Sequence, residues 1–236
     1  RSIAIKKNII ASLFLKGISI LVSLQVVPLT INYINPTRYG IWLTLSSIVA
    51  WLSYFDLGFA HGFRNRFAEA VAKGDMQLAR EYVSTTYVVL SLLFSSVFLI
   101  AIVVNHFVDW SAILNVDAAY SSELNIVFGI LAFFFCLNIV ASIFTTMLTA
   151  NQKPALASLI QTLGQVFGFI CIYILTKTVP GNLDVLAFAF SGVPCFLLII
   201  ISIGMFLSGR YRHLSPSFHF VHFSLTKKIV GLGGQF

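Results

Sequence analysis

Six long apolar runs dominate the sequence and leave it few possible folds. They cover about residues 9–32, 39–61, 83–107, 124–149, 155–176 and 185–207. Each run is long enough for a helix that crosses a hydrocarbon core of about 30 Å. A soluble chain of 236 residues could not bury this much apolar surface, which includes 23 Phe and 8 Tyr. The sequence therefore predicts an all-α integral membrane protein with six transmembrane helices.

The positive charges are unevenly divided between the two sides of these predicted helices. One side receives twelve basic residues: Arg1, Lys6, Lys7, Arg64, Arg66, Lys73, Arg80, Lys153, Arg210, Arg212, Lys227 and Lys228. The other side receives only Arg38 and Lys177. Cytoplasmic connections of membrane proteins are enriched in Lys and Arg, so the bias predicts a cytoplasmic N-terminus. The bases form no stripe or recognition motif, and we therefore expect no nucleic-acid partner.

Neither the cysteines nor the histidines form a metal-binding pattern. Cys136, Cys171 and Cys195 lie within apolar runs, where each packs like a small hydrophobe. His219 and His222 in FHFVHF lack an evident third ligand, and their alternation with aromatic residues favours a segment at the membrane interface. No phosphate-binding loop or hydrolase motif occurs. We therefore expect no catalytic residues, no metal and no cofactor: the chain is predicted not to be an enzyme.

The stretch FDLGFAHGFRNRFAEAVAKGD, residues 55–75, introduces charge abruptly at the end of the second predicted span. Phe63 and Phe67 recur at helical spacing, opposite a charged face, which is typical of a short helix lying along the interface. Gly74 is expected to end this helix, and Asp75 to cap the next one. Most of these charges are therefore predicted to be structural.

Four of the predicted spans carry a line of polar residues along one face. The lines are Ser12, Lys16, Ser19 and Ser23; Ser46, Ser53 and Asp56; Asn138, Ser142, Thr145 and Thr149; and Ser158, Gln161 (or Thr162) and Gln165. Hydrogen bonds between helices explain many buried Ser and Thr residues. Lys, Asp, Asn and Gln are larger and more costly in lipid than such bonds require. Both interpretations stand, and we favour a shared hydrated cavity.

The charges that lie deepest in the predicted spans need a partner or a cavity. Lys16 and Asp56 lie at similar depths, roughly 8–10 Å from the cytoplasmic ends of their helices. This predicts an ion pair if the first two helices are neighbours. Alternatively, Lys16 offers positive charge to an anionic group together with His61 and Arg64, since an Arg side chain can bind two phosphate oxygens. Asp56 could instead belong to a proton or cation relay.

Residues 55–75, followed by AREYVSTTY at 79–87, resemble the signature region of bacterial polysaccharide (O-antigen) flippases of the Wzx type. These proteins belong to the multidrug/oligosaccharidyl-lipid/polysaccharide exporter superfamily. The match is specific at Asp56, Gly58, Gly62, Arg64, Asn65, Glu69 and Gly74. More weakly, it extends from the opening IKKNIIASLFLKGISILVSLQVVPL to GLGGQF, which resembles the start of that family's seventh helix. The sequence departs from the family pattern, which tends toward Gly-Asn, at Ala60 and His61.

The resemblance implies that residues 1–208 form the six-helix N-terminal lobe of a MATE-like two-lobe transporter. Residues 209–236 would then be a cytoplasmic linker and the start of a seventh helix, in a truncated chain. The implied function is export of undecaprenyl-pyrophosphate-linked oligosaccharide, an O-antigen (lipopolysaccharide) or capsule repeat unit, across the bacterial inner membrane. Alternating access between the two faces and an ion gradient would drive it. Besides the lipid-linked oligosaccharide and membrane lipids, polysaccharide assembly proteins are expected partners.

Six residues are expected to contact the substrate in the cavity: Lys16, His61, Arg64, Asn138, Gln161 and Gln165. Asp56 and Lys16 are expected to form the ion pair or to take part in coupling.

Other functions remain open at this stage. A multidrug or cation antiporter of the same fold would need acidic residues in an aromatic cavity. A flippase for another lipid-linked precursor would use the same fold. A membrane glycosyltransferase would need catalytic groups on a large external loop, whereas residues 108–123 offer only acids. A non-transporting scaffold would have tightly packed polar lines.

Overall fold

The computed structural model describes the backbone of residues 2–56 and 58–233. Side chains are described at residue 8 and from residue 10 to 230, except at residues 56 and 57. The described part of the chain is almost entirely helical and contains no β-strand. The predicted all-α fold is therefore confirmed.

Ten α-helices occur in this part of the chain. They are α1 (Ser2–Ile34), α2 (Pro36–Ala50), α3 (Phe59–Ala72), α4 (Met76–Phe107), α5 (Trp110–Leu114), α6 (Ser121–Ala141), α7 (Ile143–Ala150), α8 (Pro154–Thr178), α9 (Leu183–Leu207) and α10 (Ser224–Gly233). Short 3-10 turns cover Trp51–Asp56, Ala118–Tyr120, Arg212–Leu214 and Phe218–Phe220.

Five helical stretches are long and apolar enough to cross a membrane, namely Ile10–Ile34, Met76–Phe107, Ala118–Ala150, Pro154–Thr178 and Leu183–Leu207. The second predicted span differs, because it consists of Pro36–Phe55 and Phe59–Ala72, which are bent by 48° relative to each other. Counted as one span, this bent pair brings the number to six. The fourth predicted span is also interrupted, at Ser142 between α6 and α7.

The predicted interfacial helix corresponds to α3, which begins at Phe59 after Gly58 adopts a left-handed conformation (φ 76°). Phe63 and Phe67 share one face, as their spacing predicted, but this face is fully buried within the protein rather than open to the membrane interface. Gly74, with φ 77°, follows the end of α3. Asp75 caps α4 by accepting a hydrogen bond from the Leu78 amide at 2.9 Å.

Helix α1 packs mainly along α8 and touches α2 much less. Thr162 on α8 donates its hydroxyl to the carbonyl of Leu15 at 3.4 Å, and Ser19 donates to the side chain of Gln165. The predicted pair between Lys16 and Asp56 requires the first two helices to pack side by side. Helix α1, which carries Lys16, instead packs mainly against α8, the fifth predicted span.

Small residues bring α8 and α9 close together. A Cβ atom at Gly164 would lie 3.2 Å from Cα of Pro194, and one at Gly168 would lie 3.6 Å from Cγ of the same proline. Glycines spaced four apart allow this kind of close helix approach in membranes. Pro194 lies within a continuous helix α9.

The two ends of the helix bundle are chemically distinct. At one end, here called the acidic end, Arg38 pairs with Glu123 at 3.3 Å and donates to the carbonyl of Gly181 at 3.4 Å. At the other, here called the basic end, Lys153 donates to the hydroxyl of Tyr211 at 2.9 Å. The contacts place the connections before α2, α6 and α9 at the acidic end, and α3, the α7–α8 turn and the chain after α9 at the basic end.

Candidate functional site

A cavity of about 360 Å³ opens at the basic end between α3, α7 and α8. We call it the basic-end cavity. It is lined by Ala60, His61, Arg64, Thr145, Thr146, Thr149, Pro154, Ala157, Ser158 and Gln161. Three of the six predicted substrate residues, His61, Arg64 and Gln161, therefore meet at one place although 100 residues of sequence separate His61 from Gln161.

Interrupted helices build this cavity. Helix α3 begins just after Gly58, and helix α7 begins just after Ser142. The turns that follow these two interruptions supply His61, Arg64 and the lining threonines. Irregular backbone within a membrane protein is tolerated where it is surrounded by protein or lines a polar cavity. The interruptions of two spans therefore coincide with the place where polar side chains converge.

The threonines of the basic-end cavity use their hydroxyl hydrogens within their own helix. Thr145 and Thr146 donate to the carbonyl of Ser142 at 2.8 and 3.1 Å, and Thr149 donates to the carbonyl of Thr145 at 2.9 Å. Toward a ligand, these hydroxyl oxygens therefore act mainly as hydrogen-bond acceptors. Donated hydrogen bonds must come from the arginine, histidine, glutamine and serine side chains of the lining.

The described lining of the basic-end cavity carries a positive charge. Its only charged lining residue among those described is Arg64, which is exposed and has no described carboxylate within ion-pairing distance. By contrast, Arg66 on the same helix and Lys73 at its C-terminal cap both pair with Glu69, at 3.0 and 2.7 Å. Among the described side chains, the Arg64 guanidinium is therefore without a carboxylate partner, whereas the two neighbouring bases share one.

Two further cavities contain other predicted residues. Gln165 lies in a mostly apolar cavity of about 450 Å³ between α1, α2, α8 and α9, where Ser19 is bonded to it. Asn138 lies in a cavity of about 280 Å³ between α2, α6 and α9. Trp42 and Phe190 line both of these spaces. The predicted polar residues are thus distributed over three cavities of the isolated chain.

Lys16 and Asp56 stand apart from this arrangement. Lys16 is exposed on α1 and lies next to Leu15, which contacts Thr162, so it lies near the level of Gln161. It lines none of the three cavities described above. The side chain of Asp56 falls outside the described residues, and its pairing or coupling role stays a prediction.

Several lining residues were missed by the sequence reasoning. Trp42 is 5% exposed, and its indole nitrogen has no hydrogen-bond partner in the described part of the chain. Thr146 follows Ser142 at the helical spacing used for the polar lines, so that spacing could have identified it. Thr86 is buried in an adjoining space of about 190 Å³, and its hydroxyl likewise lacks a described partner. No pattern in the sequence marks Thr86, because Val89, Leu90 and Leu93 occupy the next positions on its face of the helix.

The fold and the site define an all-α, multi-pass membrane protein with a cavity between interrupted helices, whose described lining carries one positive charge. Among the described residues, no group of three or more His, Cys, Asp or Glu could hold a metal ion. Comparison with known proteins gives no match to a family model, to a curated protein or to a solved structure. A functional assignment therefore depends on the chemistry of the cavity.

Proposed function

We propose that the chain is one lobe of a transporter that moves a lipid-linked oligosaccharide across the bacterial cytoplasmic membrane, with its N-terminus in the cytoplasm. In this proposal the basic-end cavity receives the anionic pyrophosphate that joins lipid and sugar. The observation that carries the proposal is the guanidinium of Arg64, which lines a polar cavity and has no described carboxylate partner. Such a group suits phosphate because its planar fork can bind two oxygens at once.

The surroundings of Arg64 support an anionic ligand. His61 lies one turn before it on α3, and Gln161 adds an amide donor from α8. The N-terminal turn of α3 adds the positive end of a helix dipole, whereas the dipole of α8 is offset by the adjacent C-terminal end of α7. A volume of about 360 Å³ lies within the common range of small-ligand sites, about 300–1,000 Å³.

The remaining polar residues suit an uncharged sugar. Asn138 and Gln165 are exposed amides beside the aromatic ring of Trp42, and amides with aromatic rings can bind hydroxyl groups and ring faces of sugars. In the proposed MATE-like transporter, a second lobe would face this surface and Lys16. The lipid tail would remain in the bilayer, and alternating access driven by an ion gradient, with Asp56 in coupling, would complete export.

The proposal is tested with the full-length gene product in a strain that depends on it for surface polysaccharide. Arg64→Ala should lower flipping of a labelled lipid-linked oligosaccharide in vesicles by at least about tenfold, because a hydrogen bond to a charged group is lost. Arg64→Lys keeps the charge without the fork and should retain part of the rate. Lys73→Ala removes a charge from the same helix outside the cavity and serves as the control.

Full flipping by Arg64→Ala would contradict the proposal, as would equal losses in Arg64→Ala and Lys73→Ala. A competition assay distinguishes the proposed flippase from the main alternative, a cation antiporter. Inhibition by undecaprenyl pyrophosphate supports the flippase, whereas inhibition only by organic cations supports a cation antiporter.

A further inference from the structure

The chain that follows α9 is held against the bundle rather than left free. We call residues 208–230 the strap. Arg80 on α4 donates its Nε hydrogen to the carbonyl of Ser215 at 2.9 Å, and its guanidinium lies 4.2 Å from the ring centroid of Phe220. These contacts fix the strap near the start of α4.

Two hydroxyls on α4 extend this attachment. Ser84 accepts a hydrogen bond from the amide of Ser217 at 3.1 Å, and Thr85 accepts one from the amide of His222 at 3.0 Å. Because these bonds reach the strap backbone, they fix its path without engaging its exposed side chains. The last part of the strap belongs to α10, which packs on α3.

Although its backbone is fixed, the strap exposes two large aromatic rings. Phe218 is 87% exposed and Phe223 is 62% exposed. Helix α4 has 32 residues and is about 48 Å long, which exceeds a hydrocarbon core of about 30 Å. Its first turns, where the strap is attached, therefore extend toward the headgroup layer. Aromatic rings are common at this level of a membrane.

The exposed charges of the strap have one sign. Residues 208–230 contain no Asp or Glu, and four bases are exposed: Arg210, Arg212, Lys227 and Lys228. Two carboxylates on the helices beneath the strap are already engaged. Glu69 pairs with Arg66 and Lys73, and Glu81 lies 3.8 Å from Nε2 of His222. His222 belongs to the strap, but neither Glu69 nor Glu81 lies within ion-pairing distance of Arg210, Arg212, Lys227 or Lys228 in the described part of the chain. The charge of these four bases is therefore not neutralised by the two carboxylates.

We propose that the strap is a docking surface for anionic phospholipid headgroups at the basic end of the protein. Phe218 and Phe223 insert at the headgroup boundary, and the four exposed bases attract the negative surface of the leaflet. The rings and bases lie on one segment whose backbone is already fixed. Binding of lipid therefore costs no further backbone entropy in the strap. This binding does not depend on the transport function proposed above.

The test uses the intact protein in detergent, titrated with phosphatidylglycerol or with phosphatidylcholine of the same acyl chains and measured by native mass spectrometry. The wild type should prefer phosphatidylglycerol. Arg210→Gln with Arg212→Gln should reduce this preference by up to about thirtyfold. The matched variant Arg210→Lys with Arg212→Lys keeps both charges and should keep the preference.

The aromatic part is tested separately. Phe218→Ala with Phe223→Ala should weaken binding of both lipids, whereas Phe107→Ala, which removes an 81% exposed ring at the acidic end, should not. Equal binding of the two lipids by the wild type would overturn the proposal. An unchanged preference in the glutamine variant would also overturn it and would direct attention to a protein partner for the strap.

Discussion

The two ends of the helix bundle use the same kind of side chain in different ways. At the acidic end, Arg38 pairs with Glu123 and donates to the carbonyl of Gly181, and so ties together three connections between spans. At the basic end, Arg64 lines a cavity and has no described carboxylate partner. The comparison indicates that arginine stabilises the architecture at one end and is available for a ligand at the other.

The backbone also differs between the two ends: helices start at capped residues at the acidic end, and spans are interrupted at the basic end. At the acidic end, Asn35 accepts a bond from the Arg38 amide at 3.0 Å, and Asn182 accepts one from the Asp184 amide at 2.8 Å. These caps start α2 and α9 at defined residues. At the basic end, two spans are interrupted inside the bundle. The acidic end therefore has well-capped corners, whereas the basic end has the gaps in which a cavity forms.

The largest expected difference between the two ends is the loss of stability after an alanine substitution. At each end, one glycine faces a backbone carbonyl. A Cβ atom would lie 2.1 Å from the Tyr33 carbonyl oxygen at Gly181, and 1.9 Å from that of Ile229 at Gly62. Gly181→Ala should lower the free energy of unfolding by about 3 kcal/mol, because it separates two corners between spans. Gly62→Ala should mainly displace the short helix α10, with a smaller global loss.

Thermal unfolding in detergent measures the global effect of these two substitutions, and limited proteolysis after residue 223 measures release of α10. Gly40→Ala is the control, since a Cβ atom there meets nothing within 4 Å. Equal thermal losses without release of α10 would show that the two ends respond alike, contrary to the comparison.

A smaller effect distinguishes the ion pairs of the two ends. The side chains of Arg38 and Glu123 are 29% and 19% exposed, whereas Glu69, which pairs with Arg66, is 46% exposed. Double-mutant cycles with alanine should give a coupling of about 1 kcal/mol for the acidic-end pair and a smaller coupling for the more exposed helical pair. A stronger coupling between Arg66 and Glu69 would contradict this order.

The smallest effect is a pH dependence at the acidic end that the buried Trp110 can report. The hydroxyl of Ser111, followed by the amide of Ala112, holds the pKa of Asp109 below its ordinary value. The charged carboxylate is thus favoured in the fold, so its contribution is present above about pH 4 and is lost as the pH falls further. Near-ultraviolet circular dichroism of the buried Trp110 should report this change.

Asp109→Asn keeps an acceptor at the same position but does not titrate, so it should remove the acid transition. A transition in the wild type centred well above the ordinary carboxyl range, about pH 5 or higher, would assign the signal to another group.

The sequence predicts the spans well because their length and apolarity are local properties. Helices α4, α8 and α9 cover the runs assigned to them, and Gly74 and Asp75 mark the boundary between α3 and α4 as expected. The position of each break depends on packing between helices. The charged stretch at 55–75 predicts a separate short helix after the second span, but the apolar run at 39–61 continues past the actual bend. Nothing in the fourth run indicates the interruption at Ser142.

The candidate site could be predicted only in part. Periodicity shows which residues share one face of a helix, but it does not show which helices face each other. His61 and Arg64 meet Gln161 because α3 and α8 converge at the basic end, whereas Asn138 and Gln165 point into other spaces. The pairing of α1 with α8 likewise depends on tertiary contacts that single-helix patterns do not contain.

The wall shared by the two cavities away from the basic end has a further consequence. The rings of Trp42 and Phe190 meet edge to face, with centroids 4.6 Å apart, and line spaces of about 280 and 450 Å³. The two spaces therefore share part of one wall, and a smaller side chain at Phe190 should widen both of them while the helices stay in place. The size of a ligand that these spaces accept thus depends on a single pair of side chains.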